Sequence, residues 1–244
     1  DGRADSAWAQ AIQPILDPVE MGNTPSGVRA RVESAWLVPF EANFGPIAAM
    51  DDEAVLAAVG KAIEAHERTI APRETAFDQF VDAGFVGDAL SIDQQRGLIV
   101  FLENGCTNCH NGPLLTDHSF HNIGVPPVNA NDLDPGRAEG GHAVLASRFN
   151  CRSQHSDANT CDELRFLDPS FEDAIGSFKT PTLRGVGETA PYFHNGTVNR
   201  LDEVVELYNR LPGTPLLGHR DLVLQPLELS ESQQRDLVAF LTVL

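Results

Sequence analysis

Cys106, Thr107, Asn108, Cys109 and His110 read C-x-x-C-H. Two thiols one helical turn apart can each form a thioether with a vinyl group of a porphyrin, and the imidazole next in sequence then faces the metal. The stretch is therefore a site for covalent haem c, held by Cys106 and Cys109, with His110 as an axial ligand to iron. Read otherwise, it is a surface redox dithiol or half a zinc site followed by an unrelated His. A zinc site would want a second C-x-x-C or a Cys/His pair at ligand spacing, and the sequence downstream has neither.

Haem iron takes a fifth and often a sixth ligand, and electron carriers often use Met as the sixth. The chain has two Met, Met21 and Met50, both well before the haem motif. That weakens the reading of a simple His/Met electron carrier. His118, His121, His142, His155, His194 and His219 are left, with the phenolates of Tyr192 and Tyr208, and spacing alone does not choose among them.

The haem motif needs helices to hold it. Ser91 followed by Gln94 makes a capping box. It predicts a helix that carries Leu98, Ile99, Phe101 and Leu102 into Gly105 and the motif. Upstream, a helix begins near Ala4 and is expected to stop near Pro14. Two further helices are expected over 27–36 and 51–68, the second with Val55, Leu56, Val59 and Ile63 at helical spacing. Downstream, a helix over 201–210 places Val204, Val205 and Tyr208 on one side, and Ser230 caps a last helix over 231–244. Residues 69–90 read as a connection. Residues 111–175, rich in Gly, Pro, Asn and Asp, read as mostly irregular, a length that a cofactor replacing side-chain core would explain. The predicted class is mainly α, with cytochrome c-like haem domains and long irregular loops.

A chain of 244 residues with 42% apolar residues can bury one or two cores. Its formal net charge is −18, which argues against nucleic acid as a partner and suits a basic or locally positive one. No apolar run is long enough to span a bilayer. The sequence opens on Asp1 without an initiator Met or signal peptide and reads as a mature or truncated product. Of the four Cys, Cys151 and Cys161 lie in a polar segment. A disulfide between them would mean an oxidising compartment; the alternative is two free thiols. Haem c attachment points to the same place in bacteria, the periplasm.

Several segments, in order, resemble the bacterial dihaem cytochrome c peroxidase and MauG family. Arg96-Gly97-Leu98 through Cys106 to His110 and Asn111-Gly112-Pro113 resembles its C-terminal haem site. Phe120-His121-Asn122-Ile123-Gly124-Val125 resembles the family's stretch just after that site, and Phe178-Lys179-Thr180-Pro181-Thr182-Leu183-Arg184 and Thr189-Ala190-Pro191-Tyr192-Phe193-His194-Asn195-Gly196 resemble its later segments. The opening residues, with Pro14 and Asp17-Pro18-Val19-Glu20-Met21-Gly22, resemble the second half of the family's N-terminal domain.

The resemblance implies roles. Gln10, Pro14 and Glu20 match distal-pocket residues above the peroxide-reacting N-terminal haem, with Glu20 as proton shuttle. The carbonyls of Thr189 and Pro191 match ligands of an interdomain calcium ion. Tyr208 matches the sixth-ligand position of the C-terminal haem, Met in the peroxidases and Tyr in MauG. A hard phenolate stabilises oxidised iron and lowers its potential. Residues 1–88 would be the remainder of the N-terminal haem domain and 89–244 the C-terminal one. The family carries two haems and two C-x-x-C-H motifs, whereas this chain has one, so the other is expected upstream of Asp1. The insertion bearing Cys151 and Cys161 resembles the MbnH-like branch, linked to copper-binding partner proteins. The expected activity is MauG-like: hydrogen peroxide is consumed and a Trp or Tyr of a docked protein is oxidised at long range. The alternatives are a peroxidase fed electrons by a small redox protein and a non-catalytic electron carrier.

Overall fold

The computed structural model describes residues 1–129, 131, 133–211 and 213–244. Packing divides the chain into two compact units: Gly2–Ala71 with Glu139–Asp168, and Asp1 with Pro72–Ala138 and Pro169–Leu244. Among the described residues the regular structure is α-helix with one two-stranded sheet and short 3-10 turns, joined by long irregular segments. No helix among them is long and apolar enough to cross a membrane.

The first unit opens with α1 (Ala7–Leu16), capped by the Ser6 hydroxyl, which accepts from the Ala9 N–H. Helix α1 ends at Leu16, two residues past Pro14 and close to the expected stop. The chain closes the turn by two bonds, Asp17 N–H to the Gln13 carbonyl and Met21 N–H to the Pro14 carbonyl. Helix α2 (Pro25–Ala35) starts two residues earlier than expected, with Thr24 as cap and Pro25 in the first turn, where a missing N–H is harmless. Helix α3 (Leu37–Phe44) comes next. Helix α4 (Asp52–Glu67) is capped by Asp51 and carries Asp52 and Glu53 in its first turn, where the helix dipole favours negative charge. Its Val55 and Leu56 are fully buried, with Trp8, Ile12, Val28, Val32 and Phe40 in the same core. Helices α1 and α4 touch at Gly60, where a Cβ would sit 2.6 Å from the Trp8 carbonyl oxygen.

The later segment of this unit holds most of α7 (Arg137–Ala146) and the short α8 (Asp162–Arg165). Phe149 joins the core edge-on to Trp8 at 6.4 Å. Cys151 and Cys161 are disulfide-bonded, and the Cys151 N–H donates to Asp5 at 2.6 Å.

In the second unit α5 (Ala76–Asp82) and α6 (Ile92–Glu103) precede the haem motif, and α9 (Leu201–Arg210) and α10 (Glu231–Leu241) close it. The capping boxes Ser91/Gln94 and Ser230/Gln233 both form. Helix α6 lies across α10 at Gly97, and Leu98, Phe101, Leu237, Phe240 and Leu241 share the core with Leu201 and Val205 of α9. Strands β1 (Phe120–His121) and β2 (Phe178–Lys179) pair antiparallel, with His121 opposite Phe178.

Helix α5 lies in the stretch read as a connection, held by its own Thr75/Asp78 capping box. Helix α7 lies in the stretch read as irregular. Its buried residues are Gly140, Gly141 and Val144, so its inner face carries one apolar side chain and leaves no apolar stripe to read.

Candidate functional site

Gly105, in the left-handed region at φ 74°, ends the run of α6 and turns the chain into a 3-10 turn over Cys106–Asn108. Cys106 and Cys109 are half-buried and unbonded to each other. Burial pushes the Cys106 thiol up to about 11. Burial, then Asp117 and Asp221, push Cys109 up as well. A redox or zinc dithiol would show the opposite shift.

His110 Nδ1 lies 3.0 Å from the Leu115 carbonyl oxygen. A carbonyl only accepts, so Nδ1 carries the proton and Nε2 carries the lone pair. Burial lowers the pKa of the ring against the opposing pull of the Leu115 carbonyl and Asp117, which keeps it neutral. The Leu115 carbonyl is itself held in place. Leu115 and Thr116 N–H groups bond back to Gly112 and Asn111, and the buried Thr116 hydroxyl donates to the Thr180 carbonyl at 2.7 Å. Leu115 gave no signal in the sequence, because a backbone carbonyl has no side-chain signature.

Tyr208 sits on α9, one turn beyond the buried Val205. Among the described residues its hydroxyl has no hydrogen-bond partner. Burial, then the charges that Cys109 and Cys106 would carry, push its pKa well above the usual tyrosine range. Tyr208 and the two thiols therefore lie within electrostatic reach of one another. Every other candidate but His142 has a partner. Tyr192 donates its hydroxyl to the Val186 carbonyl at 3.0 Å. His121 has a carboxylate on each nitrogen, His219 bonds Asp173, and His118 Nδ1 accepts from Lys179. His194 stacks on Phe178 at 3.6 Å and His155 lies against Phe149. His142 is exposed on α7. Two thiols for covalent attachment, an imidazole lone pair and a buried phenol are groups that a six-coordinate c-type haem can use.

In the first unit Gln10 and Pro14 lie one turn apart on α1, Gln10 exposed and Pro14 half-buried. The turn after α1 returns its backbone to Pro14 through Met21, and Glu20 is exposed in it beside the exposed Val19 and Met21. In the second unit Thr189 and Pro191 are exposed, and among the described residues neither carbonyl accepts a hydrogen bond.

Residues 1–84 match the family model for di-haem cytochrome c peroxidase, and residues 177–212 match a RoxA-like, cytochrome c-like model. The cytochrome-c peroxidase IdrP1 of Denitromonas iodatirespirans is 38% identical over 196 residues, covering 75% of this chain and 48% of its own length. The methylamine utilization protein MauG of Methylorubrum extorquens is 32% identical over 252 residues, covering 100% of this chain and 59% of its own. The chain thus spans about half the length of these relatives. The crystal structure of the diheme peroxidase BthA from Burkholderia thailandensis has the same fold, with a TM-score of 0.76 at 22% identity over 99% of this chain and 64% of that one.

Proposed function

Because the chain belongs to the bacterial dihaem cytochrome c peroxidase and MauG family, we propose that it works in a dihaem oxidoreductase that consumes hydrogen peroxide and oxidises a Trp or Tyr of a docked protein. The observation that supports the MauG-like reading is Tyr208, whose buried phenol has no hydrogen-bond partner among the described residues and lies within electrostatic reach of Cys106 and Cys109. The haem, when bound, supplies one-electron oxidation chemistry.

The chain's own residues then have distinct tasks. Cys106 and Cys109 bond the porphyrin. His110 offers Nε2, oriented through Nδ1 by the Leu115 carbonyl. Tyr208 offers a hard oxygen that favours the oxidised metal. In the other haem domain, whose boundary we place at residue 88, Glu20 takes and returns a proton at its carboxylate, and Gln10 and Pro14 shape the pocket. Thr189 and Pro191 contribute carbonyls to a calcium ion. The Cys151–Cys161 disulfide and covalent haem suit the periplasm. The net charge of −18 suits a partner with a positive docking face.

Electronic absorption and paramagnetic resonance of the haem-loaded protein test the reading, with Tyr208→Phe as the comparison. The expected result is a tyrosinate-ligated haem whose spectrum changes in Tyr208→Phe, together with loss of partner oxidation. An unchanged spectrum would remove Tyr208 as ligand. A second reading, a peroxidase fed by a small redox protein, is supported by the 38% identity to a cytochrome-c peroxidase. A His/Met spectral signature with turnover of a small cytochrome would select it. A single haem inert to peroxide would leave an electron carrier.

A further inference from the structure

His121 stands between two carboxylates of the second unit. Its Nδ1 is 2.6 Å from Asp221 and its Nε2 is 2.9 Å from Asp117. An ionised carboxylate only accepts, so a ring bonded on both nitrogens holds two protons and a positive charge. Burial opposes that charge, and the bonds from Asp221 and Asp117 outweigh it, raising the pKa of His121. The same bonds hold both Asp groups below the usual carboxylate range despite burial. Two negative charges and one positive leave the trio at net −1.

The trio is fixed next to the haem motif. An Asp117 oxygen, a His121 nitrogen and the Cys109 sulfur lie within 4.8 Å of one another. Backbone bonds anchor all three members. Asp117 N–H donates to the Cys109 carbonyl at 2.8 Å, Asp221 N–H donates to the Asn122 carbonyl at 2.9 Å, and His121 is paired in β1. Cys109, Asp117 and His121 also have the residue types of a cation site. However, both His121 nitrogens are already bonded and Cys109 is assigned to the porphyrin. The arrangement therefore acts by charge and not by ligation.

We propose that Asp117, His121 and Asp221 are positioning residues that set the reduction potential of the haem carried on Cys106 and Cys109, their net negative charge favouring its oxidised form. The inference rests on the haem reading proposed above and deepens it. A protein that holds oxidising equivalents on this haem gains from a fixed negative charge beside the Cys109 thioether.

Redox titration followed by absorption, on the haem-loaded protein at about pH 6 where both carboxylates are ionised and His121 is charged, tests the idea. Asp221→Asn removes a negative charge and should move the redox equilibrium about tenfold toward reduced haem, about 59 mV for one electron. His121→Gln removes the positive charge and should move it a similar amount the other way. Asp221→Glu keeps the charge and should keep the wild-type potential. A merely structural role would shift Asn and Gln variants in the same direction or not at all, and either result overturns the inference. A mass measurement on the same samples separates the two readings. Haem bound with potentials insensitive to charge sinks only the charge role, whereas no haem on Cys106 and Cys109 sinks both.

Discussion

Gly97→Ala should loosen the second unit and disturb the haem motif at once. A methyl group at Gly97 would lie 1.9 Å from the Asp236 carbonyl oxygen, 2.6 Å from its carbon and 2.7 Å from the Phe240 Cβ. Carbon and oxygen normally approach no closer than about 3.3 Å, so α6 and α10 must part by more than about 1 Å. Two effects compete. Alanine in a helix interior is favoured over glycine by about 1 kcal/mol. Overpacking costs about 1–3 kcal/mol, and its upper end applies because the obstacle is backbone and cannot rotate away. The clash wins, leaving a net loss of about 2 kcal/mol. For a chain of this size that lowers Tm by about 4–8 °C. Since α6 runs directly into Gly105 and Cys106, the haem absorption should shift as well. Calorimetry and absorption of the haem-loaded variant provide the assay. A Tm equal to or above wild type would refute the close approach of α6 and α10.

Replacing Cys151 and Cys161 together with Ser opens a loop of sequence separation 10 and should cost about 3 kcal/mol by loop entropy. Chemical denaturation would show it, and an unchanged midpoint would contradict a structural disulfide. The lowered Asp117 and Asp221 pKa values give stability that is present above about pH 4 and lost as pH falls through their depressed values. The raised His121 value gives stability that is present below about pH 6.5 and lost as pH rises through it. The Tm difference between wild type and Asp221→Asn should therefore be largest between about pH 4 and about pH 6.5, and a flat difference would contradict the ion trio. Glu20→Gln should slow the reaction with peroxide about 100-fold or more, as loss of a positioned proton shuttle does. Stopped-flow mixing at wild-type rate would remove that role.

Much of the second unit was legible because its signals are local. The Ser91/Gln94 and Ser230 caps, the C-x-x-C-H run and the apolar face of α10 each lie within one or two helical turns. What escaped was non-local or carried by backbone. The Asp221 partner of His121 is 100 residues away, and the Thr180 carbonyl that fixes Thr116 is 64 away. The Leu115 carbonyl that orients His110 could be any residue's. Helix α3 escaped because the run from Trp36 to Phe40 carries Pro39 and no cap; among the described bonds Trp36 makes no side-chain cap. Pro14 marked the end of α1 to within two residues, because proline lacks the N–H that a continuing helix needs. For Tyr208, helical spacing gave a face, and only the packing of α9 put that face toward Cys106 and Cys109.

Mass analysis of the peptide spanning Cys106 to His110, taken from protein matured in the periplasm of a bacterium that makes c-type cytochromes, decides whether the paired thiols carry a porphyrin. Both cysteines joined to one haem is the expected result. Two thiols that remain free to react with an alkylating reagent would contradict the haem site and every role derived from it.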